Sequence, residues 1–166
     1  MRSYHIPQHV IEAAEEHERI MLATHIGQLD DHTGLTGPHK HTPGYVGEWG
    51  FEQFLLEFRI PFFKVLNVWA GHDFVIYMSK YDVKTASKAH YLRLMVPQKQ
   101  FSPDKDFYVG CRIMDYKFIE VHGTVTSAEL GAIKPRCFGD KKVPTHAKFL
   151  HNLETIEEHF KNESFI

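Results

Sequence analysis

The sequence predicts a mixed α/β fold in which helices flank a central mixed β-sheet, with an extra helix at the N-terminus. Apolar residues recur at helical spacing near both ends of the chain, whereas short apolar and β-branched segments typical of strands fill the middle. The chain has 166 residues, 43% hydrophobic and 24% charged, so it can bury a core without disulfides. We expect a single domain at this length.

Two helices are expected in the first third of the chain. Residues 8–28 carry a loose apolar stripe beside an acidic face, and residues 45–58 have a continuous apolar face at helical spacing. Between them, residues 29–44 are rich in glycine, proline and histidine, which predicts a long loop without regular structure.

Strands are expected next. The candidate strands are residues 62–70, 73–78, 80–86, 107–114 and 117–125. A turn at Met78-Ser79 joins the second to the third, and a tight turn at Asp115-Tyr116 joins the last two. A capping-box pattern at residues 126–129 predicts a short helix, and residues 147–161 predict a final helix after a loop over 131–144.

Composition and charge limit the partners and the cellular compartment that we expect for the protein. The formal net charge is -2, so no overall basic field favours nucleic acid, although a cleft can still be locally basic. Cys111 and Cys137 show no paired spacing that predicts a disulfide. The N-terminus lacks the apolar stretch of a signal peptide, and no apolar run has the length of a membrane span. We therefore expect a cytoplasmic protein with no membrane partner.

The chemistry is expected around the second and third candidate strands. Asp73 precedes an apolar strand, and a hairpin returns the chain so that Asp82 and Lys84 lie on one face of the next strand. Two carboxylates and one ammonium group then converge at one end of a sheet. Carboxylates suit Mg²⁺, and a lysine beside them can orient an attacking water or stabilise negative charge. These residue types at this spacing favour hydrolysis of a phosphodiester.

The arrangement resembles the PD-(D/E)xK signature of restriction-endonuclease-like nucleases and Holliday-junction-resolvase-like proteins. Asp73 is followed nine positions later by Asp82-Val83-Lys84, with His72 where the family has Pro, and Asp where it more often has Glu. Gly47-Glu48 on the preceding helix is similar to a Gly-Glu pair in many members. Phage-type members also have segments similar to Asp-Phe-Tyr-Val at 106–109 and Gly-x-x-Thr-x-x-Glu-Leu at 123–130.

This resemblance implies a restriction-endonuclease-like fold and a nuclease that cuts DNA with Mg²⁺ or Mn²⁺. Asp73 and Asp82 would hold the metal, the Val83 carbonyl would add a ligand, and Lys84 would orient the water. Glu48 lies on the flank of the apolar face of its predicted helix, from which it can assist as a further metal or water ligand. Relatives of this kind often act as dimers, so a homodimer is expected.

Two further residues are weaker candidates for the site. Gln98 follows the lysine strand at a place where such nucleases often have a polar residue, although a surface position is the simpler interpretation. His72 can contact DNA or the metal shell, although a residue that ends a strand is the simpler interpretation. The predicted organisation is an N-terminal helix and histidine-rich loop over 1–44, a catalytic core over 45–131, and a C-terminal loop and helix over 132–166.

Two alternatives remain open from the sequence. One is a catalytically inactive DNA-binding or structural module of the same fold. The other is a histidine-rich metal-binding protein that holds Zn²⁺ on His32, His39 and His41, although the usual zinc-ligand spacings are missing. The Lys- and Arg-containing loop over 134–142 is expected to be solvated, but it can also hold phosphates.

Overall fold

The computed structural model describes residues 1–23, 42–66, 70–139 and 142–162. Its helices are α1 Gln8–Ala23, α2 Thr42–Glu57, α3 Ser127–Ala132 and α4 Ile156–Asn162, with a 3₁₀ turn at Leu150–Asn152. Its strands are β1 Arg2–His5, β2 Phe63–Lys64, β3 Phe74–Ile76, β4 Ser79–Ala86, β5 Arg93–Pro97, β6 Phe107–Met114, β7 Phe118–Thr126, β8 Thr145–Phe149 and β9 Glu154–Thr155. In these residues, no helix has the length and apolar character needed to cross a membrane.

The main sheet is mixed, as the sequence predicts. Its strands follow the order β1-β7-β6-β4-β3-β2, and β9 adds to β7. The pairing of β4 with β6 is parallel, whereas the neighbouring pairs are antiparallel. The strands β5 and β8 form a separate antiparallel ribbon. The fold is therefore mixed α/β.

Apolar layers cover both faces of the main sheet. On one face, Phe51 and Leu55 of α2 pack with inward-facing sheet residues such as Val109 and Ile113, and α1 and α4 add to this core. On the other face, Tyr108 packs with residues of the β5–β8 ribbon, α3 and the 3₁₀ turn. Side chains alternate along β6, so Tyr108 and Val109 enter different cores.

The predicted helices in the first third are confirmed in their central parts. α1 is described as far as Ala23, and the rest of the predicted 8–28 segment lies outside the described residues, as do residues 29–41. The prediction that residues 42–44 belong to a loop is wrong, because α2 begins at Thr42. Proline is compatible with the first turn of a helix, where its missing N–H has no intrahelical acceptor, so Pro43 does not delay the start.

The strand predictions in the middle are mostly confirmed. The β3–β4 hairpin turns at Tyr77 and Met78, both with positive φ, one residue earlier than predicted. The β6–β7 turn lies at Asp115 and Tyr116, as predicted, and Thr126 caps α3 by accepting a hydrogen bond from the Glu129 amide. The predicted strand over 62–70 is reduced to β2, although 67–69 lie outside the described residues.

The predicted helix over 147–161 is wrong in its first half. Residues 145–149 form β8, which pairs with β5, a strand that the sequence analysis missed together with β1. Leu150 and Leu153 enter the core on the ribbon side of the sheet, whereas Ile156 enters the core on the helix side. The apolar spacing fits a helix, but the chain changes faces between these residues, so only α4 remains helical.

Candidate active site

The site lies where β3 begins, beside the middle of β4. Phe74 of β3 pairs with Tyr81, so β4 continues beyond β3 from Asp82 onward. Asp73 immediately precedes β3, and its Oδ2 accepts a hydrogen bond from the Val83 amide at 2.7 Å. This bond ties Asp73 to the segment of β4 that carries Asp82 and Lys84, as the predicted hairpin requires.

Asp82 is bound by two lysines. The carboxylate residue is 4% exposed, and its Oδ2 lies 3.0 Å from Lys84 Nζ and 2.9 Å from Lys105 Nζ. Both ammonium groups therefore contact the same oxygen of Asp82. The Lys84 side chain is 23% exposed, whereas the Lys105 side chain is 10% exposed, so Lys84 is the cation that faces the solvent side of the site.

Glu48 reaches the same edge because α2 packs unusually close to β4. A Cβ atom on Gly47 would lie 1.8 Å from Thr85 Oγ1, so only glycine allows this approach. The next residue, Glu48, lies close enough to Asp82 and Lys84 for their charges to change its pKa. The Gly-Glu pair thus has a physical explanation: Gly47 lets α2 approach β4 closely, and this places Glu48 near Asp82 and Lys84.

Glu52 and Glu57 have partners away from Asp82. Glu52 Oε2 pairs with Lys64 Nζ at 2.9 Å, at the outer side of Glu48. Glu57 accepts a hydrogen bond from the Tyr4 hydroxyl and lies 3.8 Å from Arg2, beyond the far end of α2. Glu48, in contrast, lies near enough to Asp82 and Lys84 for their charges to act on its pKa.

The acids of the site have divergent proton affinities. Burial raises the pKa of Glu48 to about 7, opposed by the Lys64 charge and assisted by that of Asp82. Burial, together with the charges of Asp82 and Glu48, also raises the pKa of Asp73. For Asp82 burial acts in the same direction, but Lys84 and Lys105 outweigh it and hold its pKa below the usual value. Near Asp73 and Glu48, the positive charges therefore do not outweigh burial, whereas near Asp82 they do.

No protein-family model, curated protein or solved structure matches this chain. The resemblance to PD-(D/E)xK nucleases thus stays a prediction from the sequence pattern.

The donor set fits a hard divalent cation. Mg²⁺ binds carboxylate oxygen and keeps several waters, so one or two protein carboxylates are enough. Asp73 and Asp82 offer these, and Glu48 lies near enough to both for their charges to interact. Among the described residues, no three His, Cys, Asp or Glu side chains form a group that could hold a metal ion directly. The waters of the cation would therefore complete such a site.

The contacts of Gln98, His72 and Val83 differ from those expected of site residues. Gln98 is exposed in the turn after β5, where its amide donates to the Pro144 carbonyl. His72 is half-buried and its Nδ1 lies 3.0 Å from the Ala70 carbonyl oxygen. The Val83 side chain is buried in the main core, and the atom that it presents to Asp73 is its amide nitrogen. The histidines proposed for zinc, His32, His39 and His41, lie outside the described residues.

Sequence reasoning missed Lys105 and Lys64. Lys105 is 9% exposed, and besides Asp82 it contacts the Gln100 carbonyl oxygen at 3.4 Å. Lys105 precedes β6, and the parallel pairing of β6 with β4 brings it to Asp82. The one signal in the sequence was its position next to the Asp-Phe-Tyr-Val strand.

Proposed function

We propose that the protein is a metal-dependent nuclease of the restriction-endonuclease-like type that hydrolyses phosphodiester bonds in DNA. The observation that carries this proposal is the convergence of Asp73, Asp82 and Lys84 at one edge of the sheet, with Glu48 beside them. A mixed sheet with α2 packed against the strand that bears Asp82 and Lys84 agrees with that fold type.

The residues have distinct proposed roles. Asp73 and Asp82 would hold Mg²⁺ or Mn²⁺, and Glu48 would bind one of its waters. A bound divalent cation supplies a Lewis acid that polarises the phosphoryl oxygen and lowers the pKa of water. Lys105 holds Asp82 from the buried side, which keeps the carboxylate in place. Lys84 orients the attacking water and stabilises the negative charge that develops on the phosphoryl oxygens.

The proposed reaction is the hydrolysis of one phosphodiester bond. The water oxygen forms a bond to phosphorus, one bridging P–O bond breaks, and the departing oxygen receives a proton. One product ends in a phosphate and the other in a hydroxyl. No bond to the protein forms, so every contribution of the chain is orientation and electrostatic stabilisation.

Cleavage assays test this proposal directly. Plasmid, single-stranded and branched DNA, with RNA in parallel, are incubated with wild type in Mg²⁺ or Mn²⁺. Lys84→Ala should lower the rate by about 10²–10³-fold, because it removes stabilisation of transition-state charge. Its matched control is Lys80→Ala, an exposed lysine of the same strand, which should cut at the wild-type rate.

Binding in Ca²⁺ separates an enzyme from a binding module. Lys84→Ala should keep most of its DNA affinity, because one cation is a small part of the phosphate contacts. Wild type that binds DNA but cuts no substrate with either metal would overturn the proposal in favour of an inactive module. Equal cutting by wild type and Lys84→Ala would also overturn the assigned site.

A further inference from the structure

A second surface begins directly after the strand that carries Lys84. β4 ends at Ala86, and the chain continues through an exposed loop into β5. We name as the Arg93 surface two neighbouring groups along the chain, Lys88 with Tyr91 and Arg93 with Phe138 and Phe149. Nothing in the proposed chemistry of the Asp73–Asp82–Lys84 site uses these residues.

Aromatic rings and cations are stacked on this surface. Arg93 and Phe149 are directly paired across the β5–β8 ribbon, and the Arg93 guanidinium lies 4.2 Å from the centroid of the Phe149 ring. The same guanidinium lies 5.5 Å from the Phe138 ring. Lys88 Nζ lies 5.6 Å from the Tyr91 ring. Phe149 is 36% exposed, so a ligand can reach its ring.

The Arg93 surface carries two positively charged side chains, Arg93 and Lys88. Residues 87–93 and 142–151 contain no Asp or Glu in the sequence. Among the described residues, no carboxylate pairs with Arg93 or Lys88, although Lys148 pairs with Glu129. A free positive charge beside an exposed ring leaves both a phosphate-binding group and a stacking face available.

Another arginine on the molecule provides the contrast. The Arg2 guanidinium lies 4.9 Å from the Phe58 ring, which is 41% exposed. Arg2 is also 3.8 Å from Glu57 and 3.2 Å from Glu157, so its charge is compensated within the protein. Each arginine lies over a phenylalanine ring, but among the described residues only Arg2 also pairs with carboxylates.

We propose that the Arg93 surface binds unpaired nucleotides of the strand that enters the active site. Cations along a surface follow the phosphate backbone, while exposed rings stack on bases that are not paired. A continuous duplex keeps its bases inside the helix, so it gains contact with the cations but none with the rings. This proposal rests on the proposed nuclease function and names its substrate class, which is DNA with a single-stranded segment beside the cut.

Binding measurements test the proposal. Fluorescence anisotropy compares a labelled single-stranded DNA oligonucleotide with a duplex of the same sequence, in Ca²⁺ to prevent cleavage. Phe149→Ala, and separately Tyr91→Ala, should weaken single-strand binding by about 5-fold or more, the loss expected for one stacked base. Duplex affinity should hardly change. The matched control Phe58→Ala should bind both ligands like wild type.

Charge and stacking can be separated at Arg93. Arg93→Ala should weaken both ligands and lower the salt dependence of binding, because one phosphate contact is lost. Phe149→Ala should leave that salt dependence unchanged. Thermal melting of each variant checks that the ribbon still folds, and Tyr91→Ala lies in the loop, outside the ribbon. Equal weakening of single strand and duplex by the aromatic variants, or no weakening, would overturn the proposal.

The two proposals fail in different ways. If Phe149→Ala and Tyr91→Ala bind single strands like wild type while cleavage still depends on Lys84, the binding role of the Arg93 surface is wrong and the nuclease proposal is retained. If wild type binds single strands through the Arg93 surface but never cuts, the nuclease proposal is wrong and the binding role of the surface is retained.

Discussion

Asp73 and Asp82 lie on neighbouring strands of one hairpin, but their surroundings have opposite electrostatic character. Asp82 contacts two ammonium groups, which hold its pKa below the usual value. Asp73 accepts a hydrogen bond from the Val83 amide, and burial with the nearby charges of Asp82 and Glu48 raises its pKa. The comparison indicates that Lys84 and Lys105 stabilise the Asp82 carboxylate, whereas the positive charges near Asp73 and Glu48 do not offset the burial of these two acids.

The largest expected effect is a difference in unfolding free energy between Asp82→Asn and Asp73→Asn. Asp82→Asn leaves the buried Lys105 ammonium without its carboxylate, so unfolding free energy should fall by about 3–5 kcal/mol. Asp73→Asn should be nearly neutral, because the amide oxygen can still accept from Val83 and a repulsion disappears. Chemical denaturation measures both variants, without divalent metal. Equal destabilisation would contradict the asymmetry of the two acids.

Binding of a divalent cation next to Asp73 should stabilise the folded protein. Saturating Mn²⁺ or Ca²⁺, at about 100 times its dissociation constant, should stabilise wild type by about 2.7 kcal/mol. The thermal shift should largely vanish in Asp73→Asn, which loses a ligand charge. Calorimetry or melting curves detect this without any cleavage. A full shift in Asp73→Asn would place the cation elsewhere.

A substitution of Lys105 tests how much its ion pair with Asp82 contributes to stability. Lys105→Met keeps much of the side-chain volume but removes one of the two cations that Asp82 contacts. Since Lys84 remains, the loss of stability should be about 2 kcal/mol, smaller than for breaking a buried pair completely. Lys80→Met, on an exposed side chain, is the control and should stay near wild type. Urea denaturation compares the two, and similar values would mean that Lys105 contributes nothing to Asp82.

The last prediction concerns the pH dependence of stability. The Glu48 pKa is about 7 in the folded, metal-free protein, above its ordinary value of 4.5. An acid with a raised folded-state pKa contributes stability that is fully present below its unfolded-state pKa and is lost as pH rises through the folded-state value. Between pH 4.5 and 8, Glu48→Gln should therefore remove up to about 3 kcal/mol of the decline in unfolding free energy that wild type shows with EDTA. An identical pH profile in Glu48→Gln would show that other groups cause the decline.

Local patterns predicted the elements around the site well. The alternation along 80–86 identified β4 and the common face of Asp82 and Lys84, and the helical spacing identified α2 and the flank position of Glu48. These features depend on residues close in the sequence, which the period of the side chains describes. The failure at 147–161 has the opposite cause, because its apolar residues divide between two cores that the spacing cannot distinguish.

The sequence by itself determined the mixed α/β class, the hairpin that presents Asp73, Asp82 and Lys84, and the helix that carries Glu48. Only the tertiary structure decided that Lys105 pairs with Asp82, and that Arg93 and Phe149 meet across the β5–β8 ribbon. Alternation states which face a side chain takes, but it does not state which distant strand becomes the neighbour. That choice depends on burying both faces of the sheet at once, so it follows from the packing of the whole chain.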